Sequence, residues 1–250
     1  MNMHHTAPRM AGALIVMLAL AFTAAAADLK LTIQTESEGT AAIAGLEQPT
    51  GDYEATMWFG DGRFRRDDED RSIITLLDEQ KVYIIDHGDQ SYIGLDLPVD
   101  FLAAVPEEQR QMIKQMLEQM EPEIEVETTD EEDTIGEWNA RKTIITVTAP
   151  MGITITHEIW LTDEIDVERR GYDEAARALS GMSPIGGDWV DKLAGLEGFP
   201  VLTETLTEVM GRETVSRERV VNVEETTAPD GTYEVPEGYT QQAMDLFGAP

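Results

Sequence analysis

Apolar and polar residues alternate along most of this chain, and a period of two marks β-strands with one buried face. Leu29, Leu31 and Ile33 alternate with Lys30, Thr32 and Gln34, and Tyr53, Ala55, Met57 and Phe59 with Glu54, Thr56 and Trp58. Gly60-Asp61-Gly62 is a strong turn signal, since glycine reaches the backbone angles that tight hairpins need. Further strands are expected over Arg63 to Arg66, Ser72 to Leu77, Lys81 to His87 and Ser91 to Leu97, with a turn at Gly88-Asp89. This spacing describes a meander of short antiparallel strands.

The period changes after Pro98. Between Asp100 and Met120, the residues Met112, Ile113, Met116, Leu117 and Met120 fall on one helical face, with Glu107, Glu108, Gln111, Lys114 and Gln115 elsewhere. Pro106 marks the first turn of that helix and Pro122 closes it. Strands resume at Ile124 to Thr128, followed by an acidic turn at Asp130 to Asp133. Arg141 to Thr148 and Ile153 to Leu161 are then paired across Pro150-Met151-Gly152. Asp173 to Leu179 and Gly186 to Leu193 read as short helices, and two long strands, Phe199 to Met210 and Glu213 to Thr226, meet at Gly211. No linker or short repeat divides residues 28–250, so one domain is expected, its last ten or so residues mobile. A long antiparallel sheet with interspersed helices predicts an α+β class: a strongly curved β half-barrel whose open side the helices cover.

The first 27 residues have the three parts of a secretory signal. Arg9 lies in the opening segment, Ala11 to Phe22 is an uncharged apolar run, and Ala24 to Ala27 supply small side chains before Asp28. Cleavage is expected near Ala26 or Ala27, releasing a periplasmic protein; a retained anchor would need about 20 apolar residues, more than the run holds without its small-residue end. The chain has no cysteine, so neither lipid attachment to a cysteine nor a disulfide is available. Asp and Glu number 49 against 18 Lys and Arg, a net charge of -31. Such a field repels nucleic acid and anionic headgroups as primary partners.

Candidate sites are sparse. Met112, Met116 and Met120, with Ile113 and Leu117, form a flexible apolar stripe; thioethers repack readily, which suits acyl chains as well as an ordinary core. Ile153, Ile155, His157 and Ile159 share one strand face, so His157 reads either as a lining residue or as a neutral core histidine with one partner. His87 lies beside Asp86 and near Asp89, but a closed metal site there would need further carboxylates. No segment has the acid and glycine pattern of a calcium loop, and no metal or other cofactor is expected. Arg63, Arg65, Arg66 and Arg71 concentrate positive charge; Arg63 and Arg65 are candidates to grip an anion, unless they pair with Asp61, Asp67, Asp68, Glu69 and Asp70 nearby. Ser91 and Ser180 lack a nucleophile-elbow motif and Gly186-Gly187 lacks the spacing of a phosphate loop, so no enzyme activity is expected.

Several segments together resemble an exported bacterial family of unknown function. They are Met57 to Arg65 (MWFGDGRFR), Ile73-Ile74, Tyr83 to Asp86, Ser91-Tyr92, Gly136 to Lys142, Glu158 to Asp163, Gly198 to Val201 and Tyr233 to Tyr239, in the family's order across most of residues 28–240. Gly136-Glu137-Trp138-Asn139 is more polar than the family pattern. That family is similar to the LolA-like lipoprotein carriers, which implies a curved sheet around a hydrophobic cavity lidded by helices. The resulting expectation is a non-enzymatic carrier that holds a lipid or acyl chain. The alternative is an envelope module, stress-related or structural, with a filled core and a protein partner.

Overall fold

The structure, a computed structural model, describes residues 28–243 except 39–41, 44–45, 48–50, 101, 103–104, 106, 120–121, 151, 166, 168, 180–191, 193–194 and 210. The expected signal segment, Met120 and nearly all of the expected third helix lie outside the described residues.

Fourteen strands and two helices are described. The first half holds β1 (Asp28–Glu38), β2 (Ala42–Ile43), β3 (Leu46–Glu47), β4 (Gly51–Gly60), β5 (Arg63–Asp67), β6 (Arg71–Leu76), β7 (Lys81–Asp86) and β8 (Ser91–Asp96). Helix α1 (Glu107–Gln119) leads to β9 (Glu123–Ile135), β10 (Trp138–Ala149) and β11 (Ile153–Thr162). Helix α2 (Arg169–Leu179) precedes β12 (Phe199–Val209), β13 (Arg212–Thr226) and β14 (Thr240–Gln242). Twelve of the strands make one sheet in the order β14-β8-β7-β6-β5-β4-β1-β13-β12-β11-β10-β9, while β2 and β3 form a separate pair.

This order joins two meanders through the first strand. Strands β4 to β8 zigzag on one side and β9 to β13 on the other, and β1 pairs antiparallel with both β4 and β13. A strand so placed must bury a row, and Leu31, Ile33 and Thr35 are 0%, 5% and 3% exposed. Leu31 and Ile33 pack in the main core with Ala55, Phe59, Val201 and Val220. Turn chemistry matches the residues: Gly62 and Gly211 adopt φ of 63° and 80° at hairpin corners, where a side chain would strain the backbone.

The α+β half-barrel with covering helices is not what forms. The sheet is open, with β14 and β9 at unjoined edges, and only two helices of 13 and 11 residues are described. The fold is closer to all-β. Strand pairing continues through a segment assigned to a turn, which lengthens β9. The acidic run Asp130 to Asp133 shows why: it lies inside β9, not in a turn, and the hairpin corner is at Gly136-Glu137. An edge strand tolerates a charged run because its side chains stay in water, as Asp130 to Asp133 do.

Strands β6 and β7 are covered on both faces. On one, Val82 and Leu97 pack with Ala178 and Leu179 of α2. On the other, Ile74, Leu76 and Ile85 pack against Tyr233, Val235 and Tyr239 from the segment after β13. A purely alternating pattern would leave one face in water; the sequence of β6, Arg-Ser-Ile-Ile-Thr-Leu, is apolar enough to bury both.

Candidate functional site

Directly opposed residues on antiparallel strands share a face, so register decides which candidates meet. Between β10 and β11, Thr143 opposes Ile159, Ile145 opposes His157, Val147 opposes Ile155 and Ala149 opposes Ile153. Between β11 and β12, Ile159, His157, Ile155 and Ile153 oppose Thr203, Thr205, Thr207 and Val209. The four candidates of β11 therefore form one row, flanked by a row on β10 that is aliphatic apart from Thr143 and by a row on β12 of three threonines and Val209. Ile145, Val147, Ile159 and Leu161 are buried together, with Ile124, Ile155 and Leu196 packed against them. Toward the β10–β11 turn, Ile153, Ile155 and His157 are half-buried. The row thus grades from closed core to partly open surface.

His157 is the polar member of this row on β11. Its Nδ1 lies 2.9 Å from the hydroxyl of Thr205, directly across the ladder. Burial lowers its pKa below the ordinary 6.5, because the cation loses hydration among aliphatic neighbours. The sign for stability follows by linkage: the unfolded chain takes up a proton near pH 6.5 that the folded histidine refuses until lower pH. His157 therefore contributes no penalty above pH 6.5 and destabilises progressively as pH falls below it. His157→Gln is expected to flatten the fall in unfolding free energy between pH 6.5 and pH 5, measured by urea titration; an unchanged slope refutes the assignment.

Helix α1 places its candidates on different sides. Met112 is 63% exposed, whereas the adjacent Ile113 is 8% exposed. Met116 and Leu117 lie in α1, but their side chains are outside the described residues, as is Met120. Ile113 is not among the described side chains packed on the β10–β11 row.

An open cleft of about 250 Å³ lies beside α2, with Leu77, Leu97, Pro98 and Ala178 in its wall and Gln80, Glu174 and Arg177 at its polar margin. Typical small-molecule pockets are larger, about 300–1,000 Å³.

The arginine cluster divides between two environments. Arg66 donates to Asp68 and to Glu218, whose Oε1 is 2.6 Å away. Burial alone would lower its pKa, yet Glu218 and Asp68 outweigh that and hold it above its ordinary value. Arg63 lies 4.0 Å from Asp28 and stacks over the Tyr233 ring at 4.6 Å, with its side chain 50% exposed. Arg65 donates Nε to both oxygens of Asp67, at 2.7 and 2.9 Å, Nη1 to the Thr232 carbonyl at 2.8 Å and Nη2 to Ser72 at 3.1 Å. Both candidate anion-binding guanidiniums are thus engaged by the chain itself.

Ser72 and His87 complete a network that the sequence did not announce. The Ser72 hydroxyl donates to Asp67 at 2.5 Å and lies 2.7 Å from Nε2 of His87, whose Nδ1 is 2.9 Å from the Tyr239 hydroxyl. A hydroxyl has one proton, and Asp67 takes it, so His87 Nε2 must donate to Ser72. In the neutral ring Nδ1 then accepts from Tyr239. This serine–histidine contact is not a nucleophile–base pair, since the hydroxyl proton points away from the imidazole and Ser72 is 0% exposed. His87 is committed to hydrogen bonds on both nitrogens, and no cluster of three or more metal-ligating side chains occurs among the described residues. The network joins residues 5, 15 and 152 positions apart. Only register and the course of the C-terminal segment bring them together.

No protein-family model matches the chain, and no curated protein matches it. Distant solved structures do. PNGF-II is 13% identical, with a TM-score of 0.40, over 88% of this chain and 31% of that one. The complex of MucA and MucB from Pseudomonas aeruginosa is 11% identical, with a TM-score of 0.36, over 84% and 56%; MucB alone is 10% identical, at 0.34, over 85% and 58%. The chain therefore spans from under a third to just over half of these structures. Likeness this distant decides neither fold nor function.

Proposed function

We propose that this is an exported, non-enzymatic binding protein of the periplasm that takes an apolar or acyl-chain ligand along the β10–β12 face. One observation carries the reading: the row Ile153, Ile155, His157 and Ile159 runs from half-open to buried on a single face, beside aliphatic β10. Such a gradient lets an apolar chain extend an existing core, with burial of its methylenes as the driving force. A histidine held neutral by its surroundings adds no charge that would oppose entry. Among the described residues no helix is long and apolar enough to cross a membrane.

Native mass spectrometry of protein purified without detergent should reveal bound lipid, and a fluorescent fatty acid should bind saturably. Ile155→Glu places a carboxylate in the half-buried row and is expected to weaken that binding at least tenfold, with the circular dichroism spectrum retained. A wild-type protein that carries no ligand and ignores the probe overturns the reading.

A second reading has its own support. Strand β9 is an open edge of 13 residues whose side chains, apart from Ile124, Thr129 and Ile135, are exposed. An unpaired edge can accept a strand from an envelope protein. Recovery of one stoichiometric partner from envelope extract, with no lipid in the mass spectrum, would favour it.

A further inference from the structure

Residues 228–242 cross the face of β5 to β8 that carries Ile74, Leu76 and Ile85, and end as the edge strand β14. Their attachment differs from that of every other strand in the sheet. Strand β14 pairs parallel with β8, through Thr240–Ser91, Gln241–Tyr92 and Gln242–Ile93, whereas the other ladders are antiparallel. Before that short ladder the backbone bonds mostly to itself, as in Thr232 N–H to the Pro229 carbonyl and Glu234 N–H to Gly231. Two tyrosine anchors hold the segment down. At the first, Tyr233 is 9% exposed under the Arg63 guanidinium, and Asp28 accepts the Ala228 N–H at 2.9 Å. At the second, Tyr239 donates to His87, and Thr240 N–H to the Gln90 carbonyl at 3.0 Å. Between and beyond these anchors the segment is exposed or half-buried.

We propose that residues 232–242 are a strap that opens as a unit, hinged at the exposed turn around Gly231, while the sheet beneath stays folded. Opening breaks the two tyrosine anchors, the Arg65 bond to the Thr232 carbonyl and a three-residue ladder but none of the long antiparallel ladders, so it costs less than unfolding. It uncovers Ile74, Leu76 and Ile85 with Trp58, Tyr83 and Tyr92, an apolar and aromatic surface beside Arg63 and Arg65. The strap is the occupant of that surface in the closed state. This inference is independent of ligand binding on the β10–β12 face.

The absence of cysteine makes the test direct. A single cysteine at Leu76, under the strap, reports its opening by thiol labelling of the full chain; one at Val201, in the main core, reports unfolding. Tyr239→Phe removes the hydrogen bond to His87 and is expected to raise the Leu76→Cys labelling rate about fivefold to tenfold, leaving the Val201→Cys rate unchanged. Equal acceleration at both sites, or none at Leu76→Cys, overturns the proposal. Amide exchange provides a second reading: residues 233–242 should exchange at least tenfold faster than Ile74 and Ile85, and matching rates would also overturn it.

Discussion

Leu31→Ala is expected to lower the unfolding free energy by about 3–4 kcal/mol. Leu31 is completely buried, on the strand that alone connects the two meanders. Its neighbours in the sheet, on β4 and β13, are fixed by their own ladders and cannot collapse into the space. The cost therefore combines lost transfer free energy with an unrelieved cavity. At about 2–4 °C per kcal/mol for a domain of this size, the melting temperature should fall by about 10 °C. Urea denaturation with an unchanged m-value would locate the effect in the native state. A loss below 1 kcal/mol would mean that the central strand is not the junction described.

Arg65→Ala is expected to cost about 2–3 kcal/mol. One guanidinium satisfies Asp67, Ser72 and the Thr232 carbonyl, and its side chain is only 15% exposed. Removal leaves the Asp67 carboxylate with Ser72 alone and the Thr232 carbonyl without its donor. A fully buried pair broken this way costs about 3–5 kcal/mol; Asp67 is 31% exposed, and water recovers part of that. Arg65→Lys should not restore stability, because a single ammonium cannot reproduce four donor contacts in a planar fork. The two variants compared by thermal unfolding provide the check: full rescue by lysine would reduce the role of Arg65 to charge.

The two effects differ in how far they were legible. Leu31 stands in a plain alternating run, and its burial follows from that pattern once the strand is central. Arg65 sits in an arginine-rich segment bordered by aspartates, so local pairing was one of the two readings available from sequence. That Asp67, rather than Asp61 or Glu69, would be its partner was not. Nor was the contribution of Thr232, 167 positions away. His157 had a neutral core environment in view from alternation alone, but Thr205 as its partner required the β11–β12 register.

The helices were the least legible part. A four-residue spacing of methionines predicted one apolar stripe, yet Met112 is exposed while Ile113 is buried. Helical period states that residues share a face, and only packing states which face is buried. The expectation of helices covering a half-barrel failed for a related reason. Local sequence can specify a helix of 13 residues, but not whether a sheet of twelve strands curls closed beneath it.

The sequence by itself determined that this chain would be strand-dominated, where most hairpins turn and which residues of each strand point together. These are consequences of side-chain alternation and glycine stereochemistry, which act within a few residues. Tertiary structure alone decided that β1 would join two meanders, that the sheet would stay open, and that the C-terminal segment would cross one face of it. Each of those depends on pairings between segments tens to two hundred residues apart. A backbone ladder is nearly indifferent to sequence, so the choice of partner strand rests on summed burial across the whole sheet, which no local pattern contains.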